Sequence, residues 1–364
     1  MKILLVAGAR PNFMKIAPII RALKDRQAIS AGCTWKIVHT GQHYDHAMSH
    51  SFFQELAIPE PDYFLEAGSG SHAVQTAKIM VAFEEICQHE QPDIVLVVGD
   101  VNSTLACSVV AKKLRVKVAH VEAGLRSRDL AMPEEINRLV TDAITDYFFV
   151  TEKSAVENLL REGKAQDSIH FVGHVMIDNL LHQLQEMAAE GDASGAVAEL
   201  KKGLDSYGFL TLHRPSNVDD QKALSGIVEA MNSIAAEVPI IFPVHPRTKK
   251  MLETFGIQCS QNIHLLPPLG FRDALYLWKD AKFVFTDSGG LQEETTALGI
   301  PCFTIRDNTE RPITVEEGSN TLVGCSKEKI LRAFAELKKG TIKKGRVPEL
   351  WDGKAAARIV ACLQ

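Results

Sequence analysis

Short apolar runs alternate with longer stretches of helical spacing along most of the chain, and this alternation restricts the fold more than any other feature. The runs are ILLVA (3–7), KIVHT (36–40), IVLVV (94–98), VKVAHV (116–121), YFFVT (147–151), GFLTL (208–212), PIIFPV (239–244), FVFT (283–286) and PCFTI (301–305). Runs this short and this apolar suit strands covered on both faces, and most intervals between them carry a helical pattern. The expected class is therefore α/β, with doubly wound parallel sheets and helices on both faces. In the first interval Phe13, Ile16, Ala17, Ile20 and Leu23 recur at helical spacing. Pro18 interrupts them, and it is tolerated only if regular hydrogen bonding starts shortly before it or the helix bends there.

A first strand series ends near Ile169–Val172 and a second begins at Gly208, so 176–205, with Gly191, Gly195 and Gly203 in mixed polar sequence, reads as the bridge. The expected domains are 1–175 and 176–351, with a C-terminal helix over 352–364 free to pack back on either. With 364 residues, 46% hydrophobic and 23% charged, the chain is long enough for two cores. The net charge of −5 and the scatter of basic pairs (Lys201-Lys202, Lys249-Lys250, Lys343-Lys344) make nucleic acid an unexpected partner. No segment approaches membrane-spanning length, so no membrane partner is expected. Seven dispersed cysteines without a C-x-x-C pair suit reduced thiols in the cytosol, and MKILLVAGARP reads as a first strand rather than a signal peptide.

Ligands of doubly wound sheets bind beyond the carboxyl ends of the strands. Those ends are polar here: Gly8-Ala9-Arg10-Pro11-Asn12, Gly99-Asp100, His120-Val121-Glu122-Ala123-Gly124, His213-Arg214, His245-Pro246-Arg247 and Ser288-Gly289-Gly290. The last runs from a buried-type strand into an acidic helix. Free N–H groups at that helix start, beside two residues without side chains, form an anion site for a group such as a nucleotide diphosphate. Glu293 or Glu294, within the next turn, can accept from ribose hydroxyls.

GARPNF is not G-x-G-x-x-G, and G-x-x-x-x-G-K-[ST] is missing, which disfavours a nicotinamide enzyme and a P-loop NTPase. Arg10 and Lys15, flanking the first helix start, can bind phosphate oxygens. His43, His46 and His50 share a helical spacing, but no second ligand cluster accompanies them and no metal site is expected. Asp100 and Glu122 close their strands where acid/base groups are commonly found. Glu134 and Glu135 follow Pro133, and dipole complementarity with a Glu134–Arg138 pair would account for them without chemistry. His213, beside Arg214 after a strand, is suited to proton transfer near an anion.

Taken together, these motifs resemble the non-hydrolysing UDP-N-acetylglucosamine 2-epimerases, relatives of the GT-B glycosyltransferases. The resemblance is carried by GARPNFMKIAPII (8–20), HTGQHYD (39–45), VVGDVNSTLA (97–106), HVEAGLRSRDLAMPEEINR (120–138), FVTEKS (149–154), HRPSN (213–217), FPVHPRT (242–248), TDSGGLQEE (286–294) and RDNTERPITVEEGSNTLVG (306–324). It implies two Rossmann-like domains with an active site in their cleft, no cofactor, no catalytic metal, a UDP-sugar substrate and a homodimer. It further implies elimination of UDP to a 2-acetamidoglucal and re-addition with the C2 proton on the other face. By position it assigns Asp100, Glu122 and Glu134 to the acid/base group, with His213 near the diphosphate. Arg10, Lys15, Ser288, Gly289, Gly290 and Arg311 match diphosphate and nucleotide ligands, Arg138 a substrate-binding residue, Glu294 the ribose ligand, and Phe271 the border of the uracil.

The sequence departs from the family at three places. The loop from Arg126 to Pro133 is shorter than in many members, Pro215 replaces a second arginine after His-Arg, and Asp45 and the Ser69–His72 region differ from the regulatory pocket of bacterial members. Activation by a second substrate molecule is accordingly not expected. A UDP-2,3-diacetamido-glucuronate epimerase, which shares the short loop, is the rival within the family. A GT-B glycosyltransferase and a non-catalytic sugar-nucleotide binder are the rivals outside it.

Overall fold

The computed structural model describes residues 1–29, 32–42, 53, 56–190 and 195–363, without the side chains of Arg10, Ala28, Ile29, Glu190 and Ala196. His43, Asp45, His46 and His50 lie outside the described residues. The chain divides into two compact units, Met1–His182 with Glu349–Gln364, and Gln183–Pro348.

The first unit holds a seven-stranded parallel sheet built from β1 (Lys2–Ala7), β2 (Thr34–His39), β3 (Tyr63–Phe64), β4 (Ile94–Val98), β5 (Lys117–Val121), β6 (Tyr147–Val150) and β7 (Ile169–Phe171), in the order β3-β2-β1-β4-β5-β6-β7. The second holds six strands: β8 (Gly208–Thr211), β9 (Ile240–Pro243), β10 (Ile263–Leu266), β11 (Phe283–Thr286), β12 (Cys302–Thr304) and β13 (Asn320–Leu322), in the order β10-β9-β8-β11-β12-β13. Both sheets start from a central strand and wind outward in two directions, which opens a crevice at the carboxyl ends where the winding reverses, at β1/β4 and at β8/β11.

Burial explains why the central strands were readable. All five residues of β4 and all four of β11 are buried. In the first core Leu4, Val6, Val95, Val97 and Val118 pack against Ile79, Phe83, Ala106 and Cys107 from two helices, His72–Glu90 and Asn102–Lys113. In the second, Phe283, Phe285 and Phe303 pack against Leu224, Ile227 and Met231 of the helix Gln221–Ala235.

Helix Arg10–Ile29 keeps Pro18 in its interior, at the cost of the bond that a residue-18 N–H would give to the Met14 carbonyl. Burial of Phe13, Ile16, Ala17, Ile20 and Leu23, each 3% exposed or less, offsets that loss. The stretch read as a bridge is mostly helical, Val175–Glu190 and Ala196–Lys202. The first of these helices buries Val175, Ile177 and Leu180 and caps the returning chain: Asp178 accepts from the N–H groups of Ala355 (3.1 Å) and Ala356 (2.7 Å). The C-terminal helix Ala355–Cys362 thereby packs on the first unit, where Arg26 donates to the Val360 carbonyl.

Candidate functional site

In the first unit the carboxyl ends of β1, β4 and β5 are tied together by short polar side chains. Asn12 Oδ1 accepts from the N–H groups of Gly8 (3.1 Å) and Ala9 (3.0 Å), while its Nδ2 donates to the Val98 carbonyl (3.2 Å). A Cβ at Gly8 would lie 2.1 Å from Ser103 Oγ, so only glycine fits between β1 and that helix start. Lys15, one turn into the first helix, is 8% exposed, and its Nζ lies 2.5 Å from Glu122 Oε2. Glu122 is 3% exposed with φ 70°, a left-handed conformation that a non-glycine residue holds only when its surroundings impose it.

Asp100 follows Gly99 at the end of β4, and its side chain is 32% exposed. Arg138 Nη1 lies 2.5 Å from Asp100 Oδ2, and its Nη2 lies 2.6 Å from Glu135 Oε2. Glu135 also accepts from the N–H groups of Ser127 (3.0 Å) and Arg128 (2.9 Å), pinning the short 126–132 loop. Burial pushes the Glu135 carboxyl up, but those N–H groups and Arg138 together hold it below the usual range. The expected Glu134–Arg138 pair is therefore replaced by Glu135–Arg138. The buried face of helix Pro133–Ile144 carries Glu135, Asn137 and Arg138, whereas Glu134 is exposed in the first turn.

Behind these residues lies a layer that the sequence reading missed. His120, Asp142 and the Arg126 side chain are almost fully buried and linked by short hydrogen bonds and an ion pair. Asp142 sits in the last turn of the helix Pro133–Ile144, and no local spacing relates it to a strand end.

In the second unit the equivalent crevice is organised by Asp287, directly after β11 and 0% exposed. Its carboxylate accepts from the N–H groups of His213 (2.9 Å) and Arg214 (2.8 Å) and from Asn217 Nδ2 (3.2 Å), and lies 2.8 Å from His213 Nδ1. Burial raises this carboxyl, but the His213 imidazole and the two N–H groups outweigh it and keep Asp287 ionised. A carboxylate only accepts, so Nδ1 of His213 carries the hydrogen and Nε2 remains for a ligand on a side chain that is 41% exposed. Asp287 was legible in principle: it occupies a strand end, one residue before Ser288.

The helix Gly289–Leu298 begins there, and the Ser288 hydroxyl makes no capping bond to it. Among the described residues beyond its chain neighbours and its own helix backbone, a Cβ at Gly290 would meet no atom within 4 Å, so their packing does not require glycine at that position. At Gly289 a Cβ would lie 3.1 Å from Glu310 Oε1. Arg214 and Arg306 reach Glu310 at 3.4 and 2.7 Å. Burial raises the Glu310 carboxyl, and Arg306 chiefly pulls it down to about 2. Arg311 Nε pairs with Glu293 at 2.9 Å, while Glu294, 7% exposed, is pushed up to about 8 by burial and the Glu293 charge. The loop carrying Arg311 is fastened to the helix by Thr309 Oγ1 donating to Gln292 Oε1 at 2.7 Å. Phe271 is half-buried and opens helix Phe271–Trp278.

The sequence-predicted residues thus fall into two groups. Lys15, Asp100, Glu122 and Arg138 converge in the first unit, with Glu134 exposed near them in sequence. His213, Ser288, Gly289, Gly290, Glu294 and Arg311 gather around the start of one helix in the second. The first group can move protons; the second can hold an anion.

Comparison with known proteins gives this division a context. Residues 25–364 match the family model described as UDP-N-acetylglucosamine 2-epimerase. A relative of that name from Methanocaldococcus jannaschii is 43% identical, over 100% of this chain and 99% of its own length. A UDP-2,3-diacetamido-2,3-dideoxy-D-glucuronate 2-epimerase from Pseudomonas aeruginosa is 40% identical, over 92% of this chain and 91% of its own. The crystal structure of the M. jannaschii UDP-GlcNAc 2-epimerase, in complex with UDP-GlcNAc and UDP, matches with a TM-score of 0.85, covering 100% of this chain and 99% of that one. With two parallel-sheet α/β domains of this topology and relatives this similar over their full length, the chain belongs to the UDP-N-acetylglucosamine 2-epimerase family.

Proposed function

We propose that the protein interconverts UDP-N-acetylglucosamine and UDP-N-acetylmannosamine by eliminating and re-adding UDP. H2 of the sugar is not adjacent to a carbonyl, so its direct removal is prohibitive. As the C1–O bond breaks with its electron pair moving to the diphosphate oxygen, positive charge grows at C1 and H2 becomes acidic. A carboxylate takes H2, leaving 2-acetamidoglucal and UDP. In the return step C2 receives a proton on the opposite face and the UDP oxygen rebinds C1. Atoms and charge balance without a cofactor.

The observation that carries this reading is the pair Asp100 and Glu122, each closing a strand of the first sheet and each held against a cation, Arg138 and Lys15. Such pairing orients a carboxylate, as a base requires. The second unit supplies what a departing diphosphate needs: helix N–H groups from 289 onward, Arg214, Arg311, and the His213 ring, whose Nε2 donates once it carries a proton of its own. The open space beside Gly290 supports close approach of phosphate to the backbone. In this reading Glu134 joins the acid/base group, Arg10 the diphosphate ligands, Glu294 receives the ribose hydroxyls and Phe271 borders the base. A homodimer in the cytosol completes the expectation.

A second reading, epimerisation of UDP-2,3-diacetamido-glucuronate, is favoured by the short loop held by Glu135 and by the Pseudomonas relative. Proton NMR of parallel incubations separates the two. The first reading expects UDP-ManNAc to accumulate from UDP-GlcNAc alone. Conversion of only the diacetamido substrate selects the second. Reaction only after addition of a sugar acceptor would point instead to a glycosyltransferase, and binding without turnover to a sugar-nucleotide sensor.

A further inference from the structure

His120 lies two residues before Glu122 and is 0% exposed, as is Asp142 from the helix Pro133–Ile144. Its Nδ1 is 2.7 Å from Asp142 Oδ1 and its Nε2 is 2.8 Å from the Gly99 carbonyl oxygen. A carbonyl cannot donate. Nor can the carboxylate of Asp142, which already receives the Arg126 guanidinium at 2.7 Å and the Gly124 N–H at 3.0 Å, and whose carboxyl is held low by His120 and Arg126 against the effect of burial. Each ring nitrogen therefore needs its own hydrogen, and the geometry describes an imidazolium bridging two acceptors.

What it bridges is unusual backbone. Gly99 has φ 66°, Glu122 φ 70° and Gly124 φ 78°, so both turns that follow β4 and β5 contain left-handed residues, one of them a glutamate. Alanine at Gly124 would bring its Cβ within 2.6 Å of the Ala155 carbonyl, and at Gly99 within 2.8 Å of Lys15 Nζ. Such conformations persist only where surrounding contacts over-determine them. His120 holds the first turn through the Gly99 carbonyl, and Asp142 holds the second through the Gly124 N–H.

We propose that His120 and Asp142 are positioning residues: one buried ion pair clamps both turns and thereby sets Asp100 and Glu122 in a fixed arrangement. The proposal deepens the functional reading and rests on it, because it assumes that those two carboxylates transfer the proton. A misplacement of about 1 Å is enough to cost roughly 100-fold in rate.

Two measurements test it. In Asp142→Asn, which keeps the shape of the side chain and removes its charge, kcat for C2 exchange should fall by about 100-fold, with UDP affinity within about twofold of wild type because most of the nucleotide groups lie on the other unit and Arg10 is on neither clamped turn. A folded variant with wild-type kcat would overturn the clamp. Should the variant fail to fold, nitrogen-15 NMR of the wild-type His120 ring decides: two protonated nitrogens, each coupled across its hydrogen bond, support the clamp, and one bare nitrogen overturns it. Wild-type enzyme without C2 exchange on any UDP-sugar would sink the functional reading instead, while leaving the ring result intact.

Discussion

The two units are built on the same winding, β3-β2-β1-β4-β5 in one and β10-β9-β8-β11-β12 in the other, yet their crevices carry opposite chemistry. In the first, carboxylates stand at the strand ends, each paired with a cation from a neighbouring helix. In the second, the buried carboxylate Asp287 stands behind and presents a histidine and an arginine. The strand ends of a doubly wound sheet thus supply only positions. What the site does depends on which charged side chains occupy those positions and how they are paired.

The sharpest way to break this division is to neutralise one half and measure both. Asp100→Asn and Glu122→Gln should each lower C2 exchange by about 10³-fold or more, while calorimetry finds UDP affinity close to wild type. Wild-type exchange in either variant removes that residue from proton transfer. The converse test is Arg311→Ala, which should weaken UDP binding by roughly 10- to 100-fold through loss of a charge-assisted contact and of the Glu293 pair. If Arg311→Ala lowers exchange at saturating substrate yet leaves UDP affinity unchanged, the division of labour is wrong.

The two halves should also respond oppositely to pH. Glu294 is raised to about 8 from an ordinary 4.5, so its protonated form is favoured in the folded state. Its contribution to stability is full below about 4.5 and is lost as pH climbs through 8. Glu294→Gln should therefore be more stable than wild type at pH 8, by about 1–3 kcal/mol, and equal to it near pH 4; thermal melts of the two proteins at both pH values check this. Glu90, at the amino end of the first sheet, runs the other way. Lys36, Tyr63 and Lys2 hold its carboxyl down at about 2. Its contribution is present above 4.5 and disappears as pH falls toward 2. Glu90→Gln should melt a few degrees lower at pH 7, with the gap closing in acid; a gap that persists at pH 2 would show that the cluster stabilises by packing alone.

The central strands and most positions of the candidate site were legible in the sequence because each depends on local pattern. IVLVV and FVFT are buried on both faces, and polar residues that follow such runs fall at strand ends wherever the helices go. The strands without a signal, β3, β10 and β13, are all sheet edges with exposed or half-exposed residues, such as Phe64 at 37% and Leu265 at 51%. A one-sided strand of two to four residues does not stand out from loop sequence. The supporting charges were hidden for a different reason. Asp142 and Glu135 lie on a helix whose buried face is set by contacts with the helix Asn102–Lys113, β5 and the 126–132 loop, and helical spacing alone allowed Arg138 to pair with Glu134 as readily as with Glu135. The partners of His120 come from two other elements, and no spacing in the chain encodes that meeting.

The measurement closest to the central claim is proton NMR of UDP-N-acetylglucosamine with the enzyme in deuterated water and no acceptor. Proton removal at C2 coupled to departure of UDP predicts deuterium at C2 in both UDP-N-acetylglucosamine and newly formed UDP-N-acetylmannosamine. A pool that stays fully protonated at C2, with the enzyme folded and UDP bound, would contradict the account.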